Sequence, residues 1–200
     1  MFLALTEPMI AQRLTEGLAR PPAEDCAAAW LSAIPRPAAV LIPFLWRCDE
    51  WHLLYTRRTE QVAQHKGQVA FPGGRCEPED PSPQETALRE AQEEIGLDPA
   101  EVRVLGCLHP LPTVTNYCVT PVIGVIPWPY SFHLQAREVS RVFTIPLAWL
   151  ADPAHHEVRV RLLPESAIPH PVIYFQRYDD ELLWGVSAQI TLNLLHTLRI

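Results

Sequence analysis

Hydrophobic runs bounded by polar or turn residues recur along the chain, and they predict short β-strands. The segments AAVLIPFLW (38–46) and WHLLYT (51–56) indicate a hairpin, because the polar stretch RCDE lies between them. The later runs of this kind are EVRVLGCL, YCVTPVIGVI, VSRVFTIPL, HEVRVRLL and VIYFQRY. The pattern therefore predicts a protein with extensive sheet structure.

Hydrophobic residues at helical spacing occur in three segments. Residues 7–34 carry Ile10, Leu14 and Leu18 at intervals of four, followed by the alanine-rich stretch EDCAAAWLSAI. The central stretch SPQETALREAQEEIG and the closing stretch SAQITLNLLHTL also predict helices. Because strands lie on both sides of the central helix along the chain, the fold class is predicted as α/β or α+β, arranged as a sandwich.

The ends of the central helix are marked in the sequence. Ser82 is a good N-cap, Pro83 suits the first helical position, and Glu85 completes a capping box. Gly96 is placed to end the helix in a left-handed conformation. The helix is therefore predicted to run from just after Ser82 to just before Gly96.

The central helix carries three carboxylates on one edge. At about 100° per residue, Glu90, Glu93 and Glu94 lie beside the apolar stripe rather than opposite it. Such like charges destabilise a helix by roughly 0.2–0.5 kcal/mol per pair, and only Arg89 is expected to be near enough to neutralise them. One interpretation is a solvated acidic face. The other is a site for a hard divalent cation such as Mg²⁺, which prefers carboxylate oxygens.

Composition limits the classes of protein. The 200 residues, 48% hydrophobic and 20% charged, suit one folded domain, and the net charge of −7 argues against a nucleic-acid partner. Five scattered cysteines without a CxxC pair fit a reducing cytosol. The longest apolar run, PAAVLIPFLW, is too short to span a bilayer, and the N-terminus is a poor signal peptide. We expect a cytoplasmic protein with no membrane partner.

A glycine-containing loop precedes the acidic helix. The stretch KGQVAFPGGRCEPEDPSPQET contains Gly67, Gly73 and Gly74 and then a proline-rich segment that leads into the helix. Paired glycines after a short strand allow the backbone to approach a ligand or ion closely. The fixed distance from the glycine pair to the acids predicts that the two features act together.

The loop and helix together closely resemble the Nudix box, written G-x5-E-x7-R-E-U-x-E-E-x-G-U with U aliphatic. The residues that match or stand in its fixed positions are Gly74, Asp80, Arg89, Glu90, Glu93, Glu94, Gly96 and Leu97. Asp80 replaces the first glutamate, one extra residue precedes Arg89, and Ala91 fills the aliphatic position. The resemblance implies a Nudix-type α/β/α sandwich with a mixed β-sheet.

The segment upstream resembles the motif of coenzyme A pyrophosphatases, roughly LLTxR-[SA]-x3-R-x3-G-x3-FPGG. In LLYTRRTEQVAQHKGQVAFPGG the residues in register are Arg58, Gly67, Phe71, Pro72, Gly73 and Gly74. Thr59 and Ala63 depart from the motif, and Ala63 removes an arginine that Lys66 or His65 could replace. The resemblance covers residues 37–195, so we predict a Nudix domain over 37–200 and a separate N-terminal helical segment over 1–36.

The resemblance implies a reaction and a metal. Coenzyme A pyrophosphatases split coenzyme A into 3′,5′-ADP and 4′-phosphopantetheine with Mg²⁺ or Mn²⁺. By resemblance Glu90 and Glu94 are the best-supported metal ligands, Glu93 follows closely, and the Gly74 carbonyl could complete the shell.

The resemblance also implies roles for the other polar residues. Arg89 orients a box carboxylate, and the general base is either a box glutamate or Glu138 in REVSRVF. Arg58 and Lys66 are candidates for phosphate or nucleotide contacts. The remaining motif positions predicted to bind substrate are Gly67, Phe71, Gly73 and Gly74.

Two alternatives stay open. The same chemistry could act on ADP-ribose, NADH or a damaged nucleotide, or the domain could bind a nucleotide without hydrolysing it. The crowded acidic triplet argues against the second, because a pure binder has no need of three adjacent carboxylates. The segment 1–36 could cover the sheet, lid the pocket or pair with a second subunit in a homodimer.

Overall fold

The computed structural model describes residues 5–20, 34–60, 66–162 and 169–200, which contain four α-helices, two short 3₁₀ helices and ten strands. The helices are α1 (Glu7–Leu18), α2 (Pro83–Ile95), α3 (Leu147–Leu150) and α4 (Gly185–Leu198). The strands are β1 (Arg36–Arg47), β2 (Glu50–Arg58), β3 (Val69–Ala70), β4 (Gly73–Arg75), β5 (Arg103–Cys107), β6 (Leu111–Pro112), β7 (Tyr117–Val125), β8 (Val139–Pro146), β9 (His156–Leu162) and β10 (Pro169–Phe175).

A mixed sheet forms the centre of the molecule. Its strand order is β3-β2-β1-β7-β5, and β8 pairs with the other edge of β2. Strands β1 and β7 run parallel, whereas the other pairs are antiparallel. The separate pair β9–β10 forms a hairpin outside this sheet. The predicted hairpin of β1 and β2 and the mixed sheet are confirmed.

The β1–β2 hairpin opens into a fork. The two strands pair only near their turn, where residues 44–47 lie opposite residues 50–53. Farther along, β4 pairs with β1 and β3 pairs with β2. Gly73 and Gly74 of β4 therefore lie opposite Val40 and Ala39 inside the fork.

Hydrophobic side chains pack on both faces of the sheet. On one face Ala87, Ala91 and Ile95 of α2 pack against β1 residues such as Leu41 and Leu45. The opposite face is covered by α1 and α4, whose buried residues include Ile10, Leu14, Ile190, Leu194 and Leu198. Strand β1 is buried on both faces, which explains its nearly continuous apolar run. The predicted α/β/α sandwich is confirmed.

The central helix begins and ends where the sequence predicts. The Ser82 hydroxyl accepts a hydrogen bond from the Glu85 backbone N–H at 3.3 Å. Gly96 has a φ of 68° and ends the helix in the left-handed conformation. These caps fix the position of the acidic edge relative to β4.

The N-terminal helix α1 joins the core. Ile10 and Leu14 are fully buried, and α1 packs against β5 and α4, so it covers the sheet. Residues 21–33, including the second half of the predicted 7–34 helix, lie outside the described residues. The domain boundary at residue 36 stays a prediction. In the described ranges, no helix combines the length and apolar character needed to cross a membrane.

Candidate active site

The acidic edge of α2 lies directly over the glycine pair of β4. The Gly73 backbone N–H donates a hydrogen bond to the Glu94 carboxylate, Oε2, at 3.3 Å. A Cβ atom at Gly74 would lie 2.5 Å from the Glu90 carboxylate carbon and 2.6 Å from each of its oxygens. Only glycine allows this approach, so β4 and the two carboxylates form one site.

Glu94 is the most deeply buried of the three acids. Only 5% of the residue is exposed, and this burial raises the pKa of its carboxyl to about 8, although nearby Arg58 acts in the opposite direction. An Arg58 guanidinium nitrogen, Nη1, lies 3.8 Å from Oε1 of Glu94. The expectation that only Arg89 could neutralise the acids was therefore wrong, because Arg58 reaches Glu94 from β2.

Arg89 connects the other two acids to the loop. Its guanidinium donates to Glu90 at 3.0 Å, to Glu93 at 3.4 Å and to the Arg75 carbonyl at 3.2 Å. Burial raises the pKa of the Glu90 carboxyl, and the bond from Arg89 opposes that rise. Arg89 thus fixes the Glu90 carboxylate beside Gly74.

Asp80 anchors Arg89, a role that the sequence did not reveal. Its two oxygens accept bonds from Nε and Nη2 of Arg89 at 3.1 and 3.0 Å. Asp80 also accepts bonds from the Glu77 backbone N–H and the Thr86 hydroxyl, both at 2.9 Å. The Arg89 bonds hold the pKa of Asp80 well below its ordinary range. Although Asp80 departs from the box, it still supplies a carboxylate that binds Arg89 of the helix.

Glu138 lies near the site on an exposed turn just before β8. Backbone bonds from His133 to Ile95 and from Gln135 to Glu94 attach the segment that leads to it to the end of α2. The negative charge of Glu138 contributes to the raised pKa values of Glu90 and Glu94. Its role as general base stays a prediction.

Glu93 is the most exposed of the three acids. The Glu93 side chain is 60% exposed and contacts Arg89. Nowhere in the described part of the chain do three Asp, Glu, His or Cys side chains group closely enough to hold a metal ion by themselves. Glu90 and Glu94 are therefore the better placed pair for a cation, and the role of Glu93 as a third ligand stays a prediction.

The pair still fits a hydrated divalent cation. Mg²⁺ keeps several waters and is commonly bound by one or two carboxylates together with substrate phosphates. Burial raises the pKa values of both Glu90 and Glu94, so each carboxylate gains from a nearby positive charge. The donor atoms are hard oxygens, as Mg²⁺ and Mn²⁺ prefer.

The other residues predicted to bind substrate differ in their exposure to solvent. Lys66 is exposed, and Gly67 has a φ of 63°, which favours glycine. The Phe71 ring is buried and its centroid lies 4.6 Å from that of Tyr55, so it belongs to the core. A substrate contact of Phe71 stays a prediction. Ala63 and His65 lie outside the described residues.

The metal-free protein is expected to lose stability as pH rises. Glu94 has a pKa of about 8 in the fold against an ordinary value of 4.5. Between these values the folded state binds more protons than the unfolded state. Its free energy of unfolding should therefore fall by up to about 1.4 kcal/mol per pH unit toward pH 8. Urea denaturation of chelator-treated protein between about pH 6 and 9 measures the slope.

Glu94→Gln is the control for this experiment. The glutamine amide does not ionise in this pH range, so the variant should show a clearly shallower slope, with a smaller contribution left from Glu90. Equal slopes for the two proteins would contradict the assignment of the pH dependence to Glu94.

The fold and site define a class of protein: an α/β/α sandwich that presents paired carboxylates from a helix over a glycine strand. Residues 35–172 match the NUDIX domain family, and the chain belongs to that family. The chain is 40% identical over 172 residues to "Uncharacterized Nudix hydrolase NudL" of Yersinia pestis (strain Pestoides F), with 86% of this chain and 84% of the relative covered. The Yersinia pseudotuberculosis serotype O:3 (strain YPIII) protein of that name matches with the same identity and coverage.

Solved structures show the same fold. A MutT/nudix family protein from Enterococcus faecalis superposes with a TM-score of 0.52 at 13% identity, covering 98% of this chain and 74% of that one. A Nudix hydrolase from M. Smegmatis, RenU, gives a TM-score of 0.50 at 20% identity, covering 58% and 74%. Family and relatives together support a Nudix hydrolase.

Proposed function

We propose that the protein hydrolyses the diphosphate linkage of coenzyme A or its thioesters. The products are 3′,5′-ADP and 4′-phosphopantetheine or its acyl form. The observation that carries the proposal is the contact of the Glu90 and Glu94 carboxylates with the Gly73–Gly74 strand. This contact joins the upstream pyrophosphatase motif and the Nudix box in one site.

The site residues have distinct tasks in this reaction. Glu90 and Glu94 would hold Mg²⁺ or Mn²⁺, which when bound neutralises diphosphate charge and makes a water molecule more acidic. Arg89 keeps Glu90 in place through a bond of 3.0 Å, and Asp80 keeps Arg89 in place. The geometry thus supports Arg89 as a positioning residue.

The proton acceptor is assigned to Glu138. Its exposed turn is attached to α2 and borders Glu90 and Glu94, so its carboxylate could take a proton from the attacking water. A box glutamate is the alternative. Glu93 is the exposed member of the three, although Arg89 contacts it.

The substrate assignment rests on the segment between β2 and β4. Arg58 at the end of β2 pairs with Glu94, and Gly73 and Gly74 lie against the same carboxylates. These three positions of the coenzyme A pyrophosphatase motif therefore border the acidic pair. A cationic group next to a metal site suits a substrate that carries two adjacent phosphates.

ADP-ribose, NADH or another nucleoside diphosphate derivative is the alternative substrate. A non-catalytic nucleotide-binding module is the alternative of another class. The burial of Glu94 favours an enzyme over a non-catalytic module. A buried, ionised carboxylate lowers the free energy of unfolding unless a cation binds it, so its presence suits a metal-binding active site.

Product analysis tests the proposal. Coenzyme A, ADP-ribose and NADH are each incubated with the protein and Mg²⁺ or Mn²⁺, and the products are separated by chromatography. We expect 3′,5′-ADP from coenzyme A, slower reaction of the other two compounds, and no product after chelation. If ADP-ribose or NADH were turned over faster than coenzyme A, the assignment of coenzyme A as the substrate would be wrong. If none of the three compounds reacts, the result favours the non-catalytic nucleotide-binding module.

A further inference from the structure

An open cavity of about 510 Å³ lies beside the acidic pair. It is lined in part by Arg57, Arg58 and Arg141 and by the carboxylates Glu60 and Glu181. Since Arg58 also pairs with Glu94 at 3.8 Å, this cavity adjoins the proposed active site. A ligand that occupies the active site can therefore extend into it.

Two of these arginines directly oppose each other. Arg57 of β2 and Arg141 of β8 are cross-strand partners, and like charges in that position repel. A single buried carboxylate, Glu181, lies between them, 3.5 Å from Arg57 and 3.1 Å from Arg141. Its side chain is 6% exposed, whereas those of the arginines are 41% and 40% exposed. Glu181 thus anchors two guanidinium groups that still face the cavity.

The strands are irregular at this point. The register between β2 and β8 shifts after Arg57, so that Arg58 lies opposite Val139 and Ser140 is the extra residue. The Ser140 hydroxyl donates to the Arg57 carbonyl at 3.1 Å. Such bulges redirect side chains and are frequent beside active sites. Here Arg57 and Arg58, neighbours in sequence, line the same cavity.

The arginines retain capacity to bind an anion. Arg57 reaches its two carboxylate partners, Glu60 and Glu181, only at 3.5 Å, the limit of a hydrogen bond. Nε of Arg58 is buried without a hydrogen-bond partner among the described residues. A guanidinium carries five N–H donors that match the oxygens of a phosphate group. Arg141 is held by Glu181 and by the Asp179 side chain, and it adds a third positive charge at the same opening. Spare donors on Arg57 and Arg58 together with this charge favour an anionic ligand.

We propose that this cavity is a second anion-binding subsite, which receives a phosphate monoester of the substrate outside the diphosphate that is cleaved. Arg57 and Arg141 bind the phosphate, and Glu181 is the residue that positions them. The inference rests on the proposed function and deepens it, since coenzyme A carries such a group on its ribose. The subsite would select 3′-phosphorylated nucleotides over their dephosphorylated forms.

Paired substrates test the subsite. The ratio of kcat/KM for coenzyme A to that for 3′-dephospho-coenzyme A is measured for the wild type, Arg57→Gln and Arg141→Gln. We expect the wild type to prefer coenzyme A and each substitution to lower the ratio by about tenfold, the effect of one charge-assisted hydrogen bond. Arg57→Gln leaves the Glu181–Arg141 pair in place, so it remains informative if Arg141→Gln folds poorly.

Arg103→Gln is the matched control. Arg103 is exposed on β5, at the opposite side of the sheet from β8, and its loss should leave the ratio unchanged. Ratios in Arg57→Gln and Arg141→Gln equal to that of the wild type would overturn the subsite.

A binding measurement separates this inference from the proposed function. Calorimetry compares 3′,5′-ADP with 5′-AMP, and we expect tighter binding of 3′,5′-ADP that is lost in Arg141→Gln. Arg141-dependent binding without coenzyme A turnover would overturn the function and retain the subsite. Turnover of coenzyme A together with equal binding of the two nucleotides would overturn the subsite and retain the proposed function.

Discussion

Replacing Glu94 with glutamine is expected to lower kcat for diphosphate hydrolysis by on the order of 10³-fold. A catalytic divalent cation contributes several kcal/mol to transition-state stabilisation, and each 1.4 kcal/mol corresponds to about tenfold in rate. The amide removes one negative charge from the Glu90–Glu94 pair and places an N–H group in the site. The cation should therefore bind weakly and in the wrong position.

Steady-state kinetics at several Mg²⁺ and Mn²⁺ concentrations measures this effect. Glu85→Gln is the matched control, since Glu85 lies on the same helix but in its exposed first turn, away from the site. Above about pH 8 the Glu94 variant should fold at least as well as the metal-free wild type, whose buried carboxylate is then charged. A loss of less than about tenfold would show that Glu94 is not a metal ligand.

Gly73→Ala is expected to destabilise the fold by about 3 kcal/mol or more. A Cβ at this position would lie 2.4 Å from the Ala39 carbonyl oxygen and 2.6 Å from the Val40 Cα. Both atoms belong to the backbone of β1, which is held on both sides by other strands and cannot move aside. Urea denaturation of the two proteins under the same conditions measures the change.

The adjacent glycine provides the comparison. A Cβ at Gly74 would meet only the end of the Glu90 side chain, which can rotate away. Gly74→Ala should therefore keep most of the stability but lower kcat, because Glu90 is displaced. If both variants lost stability equally, the distinction between a structural and a functional glycine would be wrong.

Local signals in the sequence predict much of the fold. The hairpin of β1 and β2 follows from two apolar runs around a polar turn, and the limits of α2 follow from Ser82 and Gly96. Each of these signals acts within a few residues. The parallel pairing of β1 with β7 and the fork that admits β3 and β4 join residues distant in the chain, so no local pattern reveals them.

The candidate site shows the same limit. The helical period places Glu90, Glu93 and Glu94 on one edge, but burial of Glu94 and exposure of Glu93 depend on what packs against α2. The Arg58–Glu94 contact and the cluster around Glu181 join different elements. The doublet Arg57–Arg58 is a local sign of that cluster, and of the two only Arg58 lies in the segment that resembles the coenzyme A pyrophosphatase motif.

The fork of the β1–β2 hairpin links catalysis to the order of folding. Strand β4 closes a loop back to β1, and the active site is complete only when β4 contacts both β1 and α2. Contacts with such sequence separation form late, because the chain first loses the entropy of closing the loop. An intermediate with the hairpin formed but the fork empty would contain sheet structure without an active site. Recovery of activity during refolding would therefore lag behind recovery of the hairpin.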